Sequence, residues 1–533
     1  MPSATQGSEQ RRLSEGTEAG SLTVKGIYHL FVGNTIYTLL IAVTAIVVGR
    51  ILGPPNYGLY TVALIVPPFL FTAVRLGLDS AATRFAARLR SEGKEQEAVS
   101  FVYATTIVGV VIATVSSLVF VGLSGWIANS VVDRPELGAV IPIAMISVLG
   151  QAAFYITDLG MTGLGRFDLA ALIQALQGVA KLAVSVVLVE AGFGVAGAVG
   201  GYTGSFVLSG CLGVAYIAWL ARGRLPHGIW ADFKVGVRYG FPIYLSTLAG
   251  GFVAPVITTV LALTVSNTQI GGYSAASTFN ALIALFTYPI STALFPLFSK
   301  RVDDLRTLSD PYQTSVRYTA ILVVPVTSFI IAFSSPLLVT VYGRAYAFGA
   351  PFLGWFAATS LLAGLGSLAW GPLLNGIGRT RDALWTTALG SLVSVGGGVG
   401  LIEVLGVTGA IIGTLIGGAV SLAVGTWLVA RRLDAKLRLP RVWKFYATSG
   451  LAAGLSWPLS WLIHTPELSL GTGAVVFLIL FVPILAIFSA LSEEDLNELR
   501  GFMGFSKFVS RPLEAAISYY QASLRLFHPK RST

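Results

Sequence analysis

Four ionisable side chains sit inside otherwise apolar runs of this 533-residue chain: Arg75, Asp79, Asp158 and Lys181. A charge at bilayer depth costs from about 3 to more than 10 kcal/mol, so each of the four must face a partner or a watery cavity. Arg75 and Asp79 are four residues apart, close enough to pair on one helical face. Gln151, Tyr155 and Asp158 advance by four and three, and Gln174, Gln177 and Lys181 by three and four, so each set lines one face of a helix. With Asn34 and Tyr37 they make a polar, nominally balanced stripe. The chemistry such a stripe offers is recognition: a buried cation, Lys181 or Arg75, attracts a phosphate or diphosphate, and amides and phenols exchange hydrogen bonds with sugar hydroxyls. For Arg75 and Asp79 the structural alternative is a snorkelling pair closing a helix end. A structural role is also open to Asp158 and is weakest for Lys181, which lies about 14 residues, or ~21 Å, into its segment.

The elements that must hold these residues are membrane spans. Hydrophobic residues make up 54% of the chain and charged ones only 11%, with a mean hydropathy of +0.76, which excludes an ordinary soluble domain. Apolar segments of about 20 residues fall near 27–52, 57–80, 99–124, 137–160, 168–190 and 195–221. After a basic stretch they resume near 239–265, 271–298, 315–342, 349–375, 383–403 and 407–430, then 445–463 and 470–491. The expectation is an all-α polytopic membrane protein of about fourteen spans. The 60 glycines follow no Gly-X-Y period and suit close helix packing in lipid.

The net charge of +10 is a topology signal and not a sign of nucleic-acid binding. With both termini in the cytoplasm, inner segments collect 30 of the 35 Lys and Arg, and the outer loops hold only Arg50, Arg134 and Arg344. The expected location is the cell membrane. Residues 1–24 are polar, lack the apolar core of a secretory signal and are expected to remain cytoplasmic. Cys211 is the lone cysteine, and His29, His227, His464 and His528 are scattered, so neither a disulfide nor a metal site is expected. No P-loop or nucleophile motif occurs, so no cofactor, catalytic residue or ATP-driven step is expected.

The halves repeat. Gly163, Gly165 and Arg166 match Gly376, Gly378 and Arg379 at a spacing of 213 residues, and Gly58 with Tyr60 matches Gly271 with Tyr273 at the same spacing. GVAGAVG from Gly194 answers GVTGAIIG from Gly406. A duplicated six-span unit has an even number of crossings, so the copies share one orientation, with a substrate cavity expected between them. The expected division is a cytoplasmic extension (1–24), a first lobe (25–222), an inter-lobe loop (223–238), a second lobe (239–432), two extra helices (433–491) and a tail (492–533). Arg166 and Arg379 sit in equivalent cytoplasmic turns, where they anchor topology or meet phosphate on incoming cargo. The second lobe offers only Ser277, Asn280, Thr287 and Ser291 near one face of a span, suited to a sugar or to bonding within the helix. In the tail, Ile517, Tyr520, Leu524 and Phe527 beside Arg511 and Arg525 suggest an amphipathic helix on an anionic leaflet.

The segment from Gly49 to Leu89, GRILGPPNYGLYTVALIVPPFLFTAVRLGLDSAATRFAARL, the Gly-Arg turns GLGRFD and GIGRTRD and the late GVTGAIIGT together resemble the multidrug/oligosaccharidyl-lipid/polysaccharide (MOP) exporter superfamily, in particular its polysaccharide-biosynthesis flippases. The resemblance covers about residues 25–491. It implies two six-helix bundles in a V that open alternately to each side, two further helices, and a lipid-phosphate or lipid-diphosphate oligosaccharide as cargo, carried outward for polysaccharide or glycoprotein assembly beside glycan-assembly enzymes. The drug-exporter branch usually carries a carboxylate in its first span, where this chain has Asn34. The lipid II branch is richer in cavity arginines. The alternatives are an ion-coupled drug or metabolite exporter of the same fold, to which Asp158 would matter most, and a membrane glycosyltransferase or polymerase. The latter needs a substantial outer loop, and here only Asp133, Arg134 and Glu136 cluster outside.

Overall fold

The computed structural model describes residues 3–222, 229–280, 283, 308–433, 442–491, 495–496 and 507–527. Among the described residues there is no strand, and nine helical stretches are long and apolar enough to cross a membrane. Two of these, Phe31–Val74 and Phe167–Leu220, run to 44 and 54 residues, twice what one crossing needs. Glycines break them where the sequence places turns: Gly53 at φ +70°, and Gly192 and Gly194 at φ +92° and +52°. Of the ten tryptophans, nine are exposed and only Trp370 is buried. A soluble protein would not present so much aromatic surface to water, whereas tryptophan suits the membrane interface. The chain is a multi-pass membrane protein.

Contacts divide the chain into two compact units, Met1–Gly271 and Gly272–Thr533. The first holds α1 (Ser3–Ala63), α2 (Val66–Val74), α3 (Leu78–Ser91), α4 (Glu95–Gly122), α5 (Ile141–Gly163), α6 (Phe167–Leu188), α7 (Gly194–Leu220), α8 (Ile229–Gly251) and α9 (Val253–Thr264), and α10 (residues 267–280) crosses its end. Its core is built from Leu78, Ala82, Val102, Phe154, Ile156, Met161 and Phe206. This unit reaches beyond residue 222, where the sequence places the end of the first lobe. Helix α8 packs against α3, with Gly77 and Gly240 meeting backbone to backbone: a Cβ on Gly240 would lie 2.7 Å from the Gly77 carbonyl carbon. Tyr239 also lies under Arg84, and the Tyr244 hydroxyl donates to Ala73 O. Arg134, expected as an outer-loop charge, clasps the 265–267 segment, donating from Nε to Asn267 Oδ1 (2.7 Å) and from Nη2 to Val265 O (3.1 Å).

The second unit holds α11 (Ser309–Ala332), α12 (Ser334–Tyr342), α13 (Ala350–Leu362), α14 (Trp370–Gly376), α15 (Thr380–Leu405), α16 (Val407–Leu433), α17 (Val442–Ser456), α18 (Pro466–Ile487) and α19 (Lys507–Phe527). Its core gathers Tyr312, Val316, Trp370, Leu373, Phe445 and Leu485. Ile517 and Tyr520 of the tail helix α19 join that core, and the Tyr520 hydroxyl bonds the Leu491 backbone. The face of the tail expected to lie on a leaflet is thus covered at these positions by protein, which offers the same apolar burial. Asp495, in the segment assigned to the tail, is fully buried and ion-paired with Arg317 at 2.8 Å.

The duplication is visible in the backbone. Arg166 N–H donates to Met161 O and Gly165 N–H to Thr162 O; Arg379 N–H donates to Leu374 O and Gly378 N–H to Asn375 O. Both are Schellman closures around a left-handed glycine, Gly165 at φ +73° and Gly378 at φ +77°. Gly194 and Gly406 likewise share φ of +52° and +57° with ψ of −127° and −134°.

Candidate functional site

The polar stripe of the first unit is assembled from five helices, α1, α2, α3, α5 and α6. Proline at the start of α2 (Pro67, Pro68) and left-handed Leu76 and Gly77 after it break what the sequence reads as one span over 57–80. Arg75 and Asp79 therefore do not share one helical face. They meet across the break, Nη1 to Oδ2 at 3.2 Å, with Arg75 at the end of α2 and Asp79 in the first turn of α3. Each charge complements the helix terminus it sits on, and Asp79 Oδ1 also accepts from Ser80 N–H. Asp79 is buried and Arg75 keeps about a fifth of its side chain exposed.

From Arg75 the constellation continues through aromatic rings. Its guanidinium lies 5.9 Å from the Phe71 ring, which stacks on Tyr155 at 5.1 Å. The Tyr155 hydroxyl lies beside that of Tyr37 and near both Arg75 and Asp158. Asp158 is buried on α5 and accepts from Gln174 Nε2 on α6 at 3.0 and 3.2 Å. Among the described residues it has no ion-pair partner. One helical turn and more further along α6, Lys181 is buried with its ammonium 5.1 Å from the Tyr202 ring, the geometry of a cation–π contact. It too has no ion-pair partner among the described residues. Tyr202 in turn packs on Phe206, whose ring meets Phe154 and Tyr155.

The structure thus joins Arg75, Asp79, Tyr37, Tyr155, Asp158, Gln174 and Lys181 in one aromatic-lined zone. It takes two others out. Gln177 is fully buried and donates to Ser205 Oγ on α7 at 3.1 Å, and Gln151 donates to Ser147 Oγ on its own helix at 3.0 Å. Gln177 thus joins two helices and Gln151 closes on its own, because helical period fixes a residue's face but not its neighbour. Asn34 stays half-buried on α1, beside Gly33, whose missing side chain lets α1 touch Ala171 of α6. In the second unit Ser277 donates to Ser274 O on its own helix and Asn280 is half-buried; Thr287 and Ser291 lie outside the described residues. Arg166 and Arg379 are both exposed in their turns.

Sequence reasoning missed Tyr202, Phe206 and Phe71, which build the walls. Their one available signal was aromatic spacing on spans already carrying polar residues. The duplicated half lacks the chemistry, as the sequence reading of the second lobe holds: at the 213-residue spacing, Leu368, Gly371, Thr387 and Ser394 stand for Tyr155, Asp158, Gln174 and Lys181.

The family model described as polysaccharide biosynthesis protein matches residues 47–350, more than half of the chain, and the chain belongs to that family. The model of the lipid II flippase MurJ matches residues 241–484. No curated protein matches in sequence. Among solved structures, the lipid II flippase MurJ in an inward closed conformation is similar with a TM-score of 0.72 and 15% identity, covering 86% of this chain and 98% of that one. An inward-facing multidrug resistance transporter of the MATE family in the MOP superfamily gives 0.62 and 18%, covering 75% and 94%. A MOP superfamily transporter from Pyrococcus furiosus gives 0.56 and 18%, covering 78% and 96%. The fold is that of the MOP superfamily, as the motifs led us to expect.

Proposed function

We propose that this protein translocates a lipid-linked oligosaccharide, carried on a lipid phosphate or diphosphate, from the cytoplasmic to the outer leaflet by alternating access. The observation that carries the reading is Lys181: a buried cation, without an ion-pair partner among the described residues, at the end of a zone of phenols and amides. Such a cation suits a phosphate-bearing head, and tyrosines with Gln174 suit sugar hydroxyls and ring faces. Family membership supports glycan assembly as the setting, and the MurJ-like fold supports a lipid cargo. On this reading both termini are cytoplasmic and the protein resides in the plasma membrane.

Deleting the gene and extracting lipids from right-side-out and inverted membranes tests this. A lipid-linked glycan should accumulate on the cytoplasmic leaflet and be cleared by the wild-type chain but not by Lys181→Ala. Absence of any accumulating lipid-linked sugar sinks the function, and full clearance by Lys181→Ala sinks the site. Asp158 favours one second reading, an ion-coupled exporter, because a buried carboxylate held by a neutral amide, with no ion pair among the described residues, can exchange a proton or cation. Transport that collapses in Asp158→Asn and tracks an ion gradient would select it.

A further inference from the structure

Away from the buried zone, at the end of the first unit that the charge count assigns to the cytoplasm, three arginines line one cleft. Arg90 comes from the last turn of α3, Arg166 from the turn between α5 and α6, and Arg222 from just past the end of α7. The cleft holds about 610 Å³, within the range of small-ligand sites. Glu95 is the single acid in its wall, so its lining is net cationic. Leu164, Val99 and Trp219 make its apolar side, and Trp219 is 71% exposed, as befits a residue at the membrane interface.

The neighbouring charges on the same end are already engaged. Arg88 binds Glu92 at 2.9 Å, Lys94 lies between Glu92 and Glu97, and Arg84 covers Tyr239. Among the described residues, Arg90, Arg166 and Arg222 have no ion pair. Their placement is built into the backbone. Gly165 is left-handed, and the Arg90 guanidinium lies across it so closely that a Cβ there would come within 2.6 Å of Cζ. At the matching glycine of the second half, Gly378, nothing lies within 4 Å. Arg222 adopts φ +55°, an uncommon conformation for a side-chain-bearing residue, with its N–H on Trp219 O at 2.9 Å.

We propose that this cleft binds the phosphate group of a membrane amphiphile, with the Arg90, Arg166 and Arg222 guanidiniums on the phosphate oxygens and Trp219 against the glycerol or upper chain. Planar guanidiniums fork onto phosphate oxygens, and three from separate helices surround a tetrahedral anion better than they fit a planar carboxylate. The site is distinct from the buried zone: Arg166 and Lys181 are 15 residues apart on α6, roughly 22 Å by helical rise. It does not rest on the transport activity, because it is read by binding alone.

The test uses the full-length protein in zwitterionic nanodiscs or detergent, titrated separately with dioctanoyl phosphatidylglycerol, dioctanoyl phosphatidylcholine and sodium pyrophosphate. Saturable binding of phosphatidylglycerol over phosphatidylcholine is expected. It should fall at least tenfold in the Arg90→Gln/Arg222→Gln double variant and by less in Arg90→Lys, which keeps charge but loses the fork. Arg88→Gln, outside the cleft wall, should stay within about twofold of wild type. Binding of the lipid alone identifies a lipid headgroup as the source, and equal binding of pyrophosphate identifies a phosphate site open to water; both support the cleft. Failure of both probes to bind, unchanged affinity in the double and Lys variants, or an equal loss in Arg88→Gln overturns it.

Discussion

Placing a methyl group at Gly58 perturbs a contact whose cost follows from the backbone itself. Gly58 and Gly271 are equivalent positions in the duplicated sequence, and so are Pro54 and Asn267. They meet reciprocally: a Cβ on Gly58 would lie 2.7 Å from the Asn267 carbonyl carbon, and a Cβ on Gly271 would lie 2.9 Å from that of Pro54 and 3.2 Å from Gly58 N. Ordinary contact begins at 3.4 Å, so Gly58→Ala must push these backbone stretches apart by about 0.7 Å at the carbon and further at the oxygen. Backbone does not swing aside as a side chain does. Overpacking of this kind costs about 1–3 kcal/mol, and 2 kcal/mol corresponds to roughly 4–8 °C in Tm for a unit of this size. Gly271→Ala should cost a similar amount. Once the crossing has opened for one methyl it admits the second, so the double variant should fall short of the sum by ~0.5–3 kcal/mol. Gly204→Ala, mid-helix on α7 with nothing within 4 Å, is the control and should be neutral or slightly stabilising. Thermal unfolding of the purified protein in detergent, followed by size-exclusion fluorescence, reads all four. A Gly58→Ala Tm equal to wild type, or strictly additive losses in the double, would refute the reciprocal crossing.

Other substitutions also destabilise, and two of them have rescuing partners. Asp495→Ala strands Arg317 in a buried site and should destabilise the second unit by about 3–5 kcal/mol, with Arg317→Met/Asp495→Leu recovering most of it in the same thermal assay. Ser205→Ala removes the partner of fully buried Gln177 and should cost roughly 0.6–2 kcal/mol, and Gln177→Leu in that background should restore stability if the amide serves packing. Gly165→Ala and Gly378→Ala force the same left-handed conformation on alanine and should each cost ~1–2 kcal/mol, matched within a few tenths because Arg90 is flexible enough to withdraw.

Hydropathy made the class readable, since the bilayer imposes the same span length on every crossing segment. The repeat was readable because left-handed turns at Gly165 and Gly378 tolerate few residues besides glycine. The Arg75–Asp79 pair was read correctly as a pair and wrongly as a face. Four-residue spacing says nothing of Leu76, whose left-handed backbone has no compositional mark. Gln151 and Gln177 were indistinguishable from Gln174 by period; only their acceptors, Ser147 and Ser205 against Asp158, separate them. Arg317 lies near the start of the 315–342 span and Asp495 in the tail, and a pair so distant in sequence leaves no local signal. For α19, amphipathicity announced an apolar face without saying that Tyr312, Phe445 and Leu485 would help form the core it joins.

Whether a buried cation in the first unit draws a phosphate-bearing lipid-linked sugar across the bilayer is decided by reconstitution. Vesicles containing the wild-type chain and a labelled lipid-linked oligosaccharide should expose the sugar to an outside lectin or glycosidase with time. Lys181→Met should keep or raise the Tm, since it removes a buried charge that has no ion pair among the described residues, yet slow exposure at least tenfold. Wild-type vesicles no faster than protein-free ones, or Lys181→Met as fast as wild type, would contradict it.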